Sequence, residues 1–149
     1  MATGSKIADW IENAMTVANL SSDSFKIALS NTAPASEASN PTATGNGVLA
    51  NVTQIAYTNY SDNLTVDRTL ESVTFAESGG TTKFDAGDFI ITASGGALAT
   101  FRYIYVYDDT PTSPADPLVA VWDHGSGITL ADTQTATVTF HANGMFTVT

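Results

Sequence analysis

His124 follows Asp123 directly, and Gly125-Ser126-Gly127 comes next, so an acid, an imidazole and a hydroxyl stand in one short run. Neighbours along a strand or turn point apart, so this adjacency does not make a catalytic dyad. The Gly-Ser-Gly triplet lacks the spacing of a nucleophile elbow and joins no strand to a helix; a glycine turn at a strand end accounts for it. His124 and His141 are the only histidines, too few for a three-histidine metal site, and no HExxH spacing occurs. His141 reads as a solvated residue on the outer face of its strand.

Asp108, Asp109 and Asp116 supply oxygen ligands suited to Ca²⁺ across one loop, yet the ligand order of an EF-hand is missing. An acidic solubilising loop is the better account of them. No glutamate sits on a central strand beside aromatics, as paired-carboxylate glycoside hydrolysis would need. The glycines form neither a GxGxxG nor a Walker pattern. Tyr103, Tyr105 and Tyr107 form a column able to stack bases or sugars, but the acidic surroundings disfavour polyanions, and core or subunit interface is the simpler use. The expectation is no enzyme: no catalytic residue, no cofactor and no metal.

These residues hang on the stretch Leu98 to Gly125. Phe101, Tyr103, Tyr105 and Tyr107 alternate with Arg102, Ile104 and Val106, and Leu118, Ala120 and Trp122 alternate with Val119 and Val121, the period of two that defines a strand. Both arms are apolar on nearly both faces, as central strands are. Between them DDTPTSPADP cannot continue a ladder and is expected to bulge into solvent. The pair reads as a central hairpin.

Phe25 to Leu29 alternates as a strand, followed by a long polar loop from 30 to 47. Val52, Ile55 and Tyr57 anchor an expected strand from Val48 to near Asn59, and Thr69 to Phe75 supplies another. SGGTTKFDAGD reads as a turn region, and Asp88 to Ala93 as a strand. In the segment Thr135 to His141, Ala136, Val138 and Phe140 face inward. Asn143-Gly144 then forms a two-residue hairpin connection to Met145–Thr149, the strongest such signal in the chain. About eight strands in all fit an all-β protein, an antiparallel jelly-roll-like sandwich or barrel.

Residues 5 to 18 alone predict a helix. Ile7, Trp10, Ile11, Ala14, Met15 and Ala18 share one face at helical spacing, and Ser5 is placed to cap it. The domain division is therefore an N-terminal helical arm, 1–20, and a β-sandwich domain, 21–149. The arm either packs on its own β domain or docks a neighbouring subunit through Ile7, Trp10, Ile11 and Met15.

The balance of 5 basic to 15 acidic residues in 149, a net charge of −10, disfavours direct nucleic-acid binding. Cysteine is absent, so stability must come from packing or association. No apolar run reaches the length of a signal peptide or membrane span, which leads to the expectation of a cytoplasmically made protein with no membrane partner.

The order of segments resembles a broad group of small bacteriophage virion proteins. The matching pieces are KIADWIENAM, FKIALSNTAP, the IYVYDDTP hairpin, LVAVWDHGSGITL and the closing TATVTFHANGMFTVT. The resemblance implies a virion structural role: a capsid decoration (cement) protein of the head, or a related tail or fibre component. It also implies a β-rich homo-oligomer, often a trimer. The proline-rich loop at 108–117 is longer than in that group, and the acidic balance is stronger. On the first reading the partner is the major capsid protein and the location the capsid surface of the virion, after synthesis in the host cytoplasm. On the second, the tyrosine face or acidic loop grips a host-surface glycan.

Overall fold

Tyr105 sits at the centre of a computed structural model that describes residues 3–6, 19–20, 22–34, 47–62 and 67–148. It lies in the strand Phe101–Asp108, which pairs with Leu118–Ile128 on one side and Phe25–Ser30 on the other. In chain order the strands are β1 (Thr3–Lys6), β2 (Phe25–Ser30), β3 (Tyr60–Asp62), β4 (Thr74–Ser78), β5 (Thr81–Asp85) and β6 (Phe89–Ala93). They continue with β7 (Phe101–Asp108), β8 (Leu118–Ile128), β9 (Thr135–Val138) and β10 (Phe146–Val148). The protein is all-β. The described strands form three antiparallel sheets, ordered β1-β8-β7-β2, β10-β5-β4 and β3-β6-β9, and none closes into a barrel.

The expected central hairpin is present as β7 and β8. Ala28, Tyr105 and Val121 stand in register on one face of the large sheet and are buried. Phe25, Ile27, Leu29, Ile104, Val106 and Trp122 share the other face, by the strand period of two. The two smaller sheets pack on that second face: the Phe25 ring meets Phe84 of β5 at 5.0 Å, and Trp122 meets Phe140, just beyond β9, at 5.6 Å. Phe84 is fully buried and also stacks on Phe146 at 5.3 Å.

Five local expectations are corrected. Ser5 and Lys6 do not open a helix; they belong to β1, opposite Val121 and Ala120 of β8. The rest of the predicted helix, 7–18, lies outside the described residues, as do Ile7, Trp10, Ile11 and Met15. The segment from Val48 to Asn59 is a 3-10 turn, Leu49–Asn51, and irregular chain rather than a strand. Val52 and Ile55 are three residues apart, so a strand cannot face both inward.

SGGTTKFDAGD contains β5, paired with β4 through the turn Gly79-Gly80. Asn143-Gly144 does not join paired strands, because β9 pairs with β6 and β10 with β5. The chain changes sheet there and passes close to β5, with Met145 N donating to Phe84 O at 2.8 Å. The loop after β7 is tied down rather than bulging freely. Asp109 N donates to Ser24 O, Ser24 N donates to Thr110 Oγ1, and Leu49 N donates to Asp116 O.

Candidate functional site

The run Asp123 to Gly127 is not a terminal turn. Five steps along β8, from Asp123 to Ile128, face two steps along β7, from Phe101 to Tyr103, so β8 swells outward by three residues inside its own ladder. Gly125 takes φ +91°, which its missing Cβ permits. Asp123 holds the base of the swelling. Its Oδ1 accepts from Arg102 Nε at 2.6 Å and from Gly125 N at 2.7 Å, and its Oδ2 accepts from Arg102 Nη2 at 2.8 Å. The hydrogen-bonded guanidinium drives the Asp123 carboxyl down to about 2.

That arrangement does not join Asp123, His124 and Ser126 into a relay through Nδ1. Asp123 is spent on Arg102 rather than on the imidazole. His124 Nδ1 lies 3.1 Å from the Ser126 carbonyl oxygen, an acceptor only, so Nδ1 carries the proton and has no lone pair for the Ser126 hydroxyl 3.5 Å away. The sequence-level rejection of a catalytic dyad therefore rests on concrete partners.

The swelling carries His124 to the rim of a groove of about 360 Å³ between the large sheet and the β3-β6-β9 sheet. Its walls include Ile91, Ile104, Trp122, Val138 and Phe140. Among the described residues, His124 is the only titratable one lining it. An apolar cleft with one imidazole at its mouth can hold a flat apolar group.

The second polar centre lies at the opposite end of β7. Asp108 is fully buried; its Oδ1 accepts from Thr110 N at 3.1 Å, and its carboxyl lies beside that of Asp23. Burial raises this carboxyl to about 7, and the neighbouring Asp23 and Asp109 charges push in the same direction. Asp109 instead pairs with Lys26 at 2.8 Å, which holds the ammonium above its usual range.

Asp116 has φ +50° and uses its backbone carbonyl, not its carboxylate, to hold Leu49. The expected acidic loop is thus one buried acid, one ion pair and one turn residue. Among the described residues no group of three or more His, Cys, Asp or Glu is arranged to hold a metal ion.

Tyr103, Tyr105 and Tyr107 are buried, and burial pushes the Tyr105 phenol up to about 12. The column is core, as its period implied. His141 is exposed, with Nδ1 accepting from Asn143 N at 3.0 Å.

The β4–β5 hairpin escaped the sequence reading. Every residue of β4 is exposed, and Phe75, 45% exposed, is the one large apolar side chain left in solvent among the described residues. Its signal was present: Gly-Gly between two alternating segments, TFAES and TTKFD, is a two-residue hairpin pattern. No protein-family model, no curated protein and no solved structure matches the chain.

Proposed function

We propose that the chain is a bacteriophage virion structural protein, a decoration (cement) protein of the head that binds the capsid surface and stabilises it without catalysis. It works as a homo-oligomer, a trimer, against the major capsid protein, with many weak contacts summed by symmetry. The sheets then form a jelly-roll-like sandwich whose loops and edges do the gripping. The observation that carries this reading is β4, an unbroken strand exposed along its whole length and bearing Phe75, on a body where Asp109 and Asp123 are engaged by Lys26 and Arg102. Surface of that kind serves adhesion rather than turnover.

The tail or fibre reading placed a glycan on the tyrosine column or the acidic loop. Burial of Tyr103, Tyr105 and Tyr107 leaves no tyrosine face for a sugar, while the acidic loop keeps exposed residues, Asp109 among them.

Labelling the chain on whole virions tests the proposal: label on the head supports it and label on the tail overturns it. The contribution of Ile7, Trp10, Ile11 and Met15 is tested by Trp10→Ser rather than by deletion, because Thr3–Lys6 form β1. Reduced occupancy on heads assigns the arm to the capsid contact, and unchanged occupancy removes it.

A further inference from the structure

We propose that the outer edge of β4 accepts an added strand from an extended, basic segment of the partner. This rests on the reading of the chain as a capsid-binding protein and names what it grips. The hairpin geometry fixes which groups are offered. Gly79 and Gly80 have φ +63° and +82°, a two-residue turn closed by Ser78 opposite Thr81. Counting back from that hydrogen-bonded pair, Ala76 and Thr74 also bond to β5, while Phe75 and Glu77 direct both N–H and C=O away from it.

An independent contact confirms the parity. Phe84 stands opposite Phe75, and its carbonyl accepts from Met145 N on the side away from β4. Four backbone groups therefore line the open edge, and among the described residues none reaches them.

The outer edge of β2 contrasts with this one. The rim of β2 is closed by Ile27 N to Arg68 O, Leu70 N to Phe25 O and Ile55 N to Leu29 O. Sheet edges in monomers are blunted by lysine, proline or a bulge. TFAES has no lysine or proline, and its register with β5 runs unbroken.

Charge and area choose the occupant. Glu77 is the one formal charge on β4; its Oε1 accepts from Gly80 N at 2.7 Å but no cation pairs with it among the described residues, and Lys83, opposite Ala76, is engaged by Asp85 at 2.9 Å. A second copy paired through this same edge would bring another Glu77 and no cation. It would also bury a single five-residue strand pair, well below the roughly 1,200 Å² of a stable dimer. An extended segment with a lysine or arginine opposite Glu77 and an apolar residue opposite Phe75 satisfies the edge, the charge and the exposed ring together.

The probe is the capped pentapeptide Thr-Lys-Thr-Val-Thr, which in antiparallel order sets lysine opposite Glu77 and valine opposite Phe75. In amide NMR of the full chain, saturable shifts centred on Phe75 and Glu77 are expected. Binding should weaken about tenfold when the peptide lysine is replaced by glutamate, and vanish when its lysine and valine amides are N-methylated. Glu77→Lys should reverse the charge preference.

No saturable shift up to roughly 5 mM peptide, or equal binding of the N-methylated peptide, overturns the proposal. A particle assay separates its failure from that of the capsid reading. If heads bind the intact chain and Phe75→Pro, folded by its NMR spectrum, equally well, the edge is refuted while the capsid role stands. If heads do not bind the intact chain, the capsid role fails, and the peptide experiment alone decides the edge.

Discussion

Arg102 and Asp123 face each other across the base of the β8 swelling, joined by two parallel hydrogen bonds of 2.6 and 2.8 Å. The geometry is the bidentate fork that makes arginine–carboxylate pairs directional. Its consequence is acid sensitivity. The Asp123 carboxyl lies at about 2 in the fold, below its ordinary value of 3.8, so the pair's contribution is present in full above that ordinary value. It is lost as pH falls through about 2. Melting temperature followed by circular dichroism between pH 6 and pH 2 should drop more steeply for the wild type than for Asp123→Asn. Parallel curves would show that the pair contributes nothing.

Asp108 predicts the opposite slope over a different window. Its carboxyl is raised to about 7 from 3.8, so between those values the folded chain holds a proton that the unfolded chain has released. Stability must then fall as pH rises from about 4 to 7, and level off above. The fixed neutral amide of Asp108→Asn removes the penalty. It should stabilise the protein at pH 8 by on the order of 2 kcal/mol while changing little at pH 4. Urea unfolding at the two pH values measures this, and an equal effect at both would sink the assignment.

Period-two alternation made the centre of this fold legible, because β7 and β8 are buried on both faces and their side chains had to be apolar twice over. Where tertiary contacts overrode local signals, the reading failed. Asn143-Gly144 looked like a hairpin turn, but the close approach of β5 sends the next strand to another sheet. Asp108 looked like loop acid because its burial depends on contacts that its own segment does not show: its N–H donates to Pro117 O across the loop, and the next residue, Asp109, donates to Ser24 O, distant in sequence. Phe75 reads as the end of a strand from Thr69; nothing in its neighbours' types reveals that, among the described residues, β4 is the edge of its sheet.

Phe84 and Phe75 stand opposite each other in one hairpin and should respond very differently to truncation. Phe84 is fully buried and meets Phe25, Phe146 and Phe75 at 5.0, 5.3 and 6.4 Å. Phe84→Ala opens a cavity between two layers and should cost about 3–5 kcal/mol. Phe75→Ala removes a half-solvated ring and should cost less than about 1 kcal/mol. Urea denaturation of both variants checks the pair; similar losses would mean that the hairpin packs as core rather than standing out in solvent.

Gly144 marks where the chain crosses from one sheet to the next. Its φ is +84°, and a Cβ there would lie 2.5 Å from the Phe84 carbonyl oxygen, a backbone atom held in place by its sheet. Gly125 has a similar φ of +91° but nothing within 4 Å of the corresponding position. Alanine at Gly125 therefore meets only the left-handed backbone penalty, on the order of 1 kcal/mol. Alanine at Gly144 meets the same penalty plus a clash that must displace β5 or β10, and should lose about 2 kcal/mol or more. The comparison isolates the close approach from the backbone conformation, since both positions share the second. Equal losses for the two variants in urea unfolding would show that the crossing does not constrain residue 144.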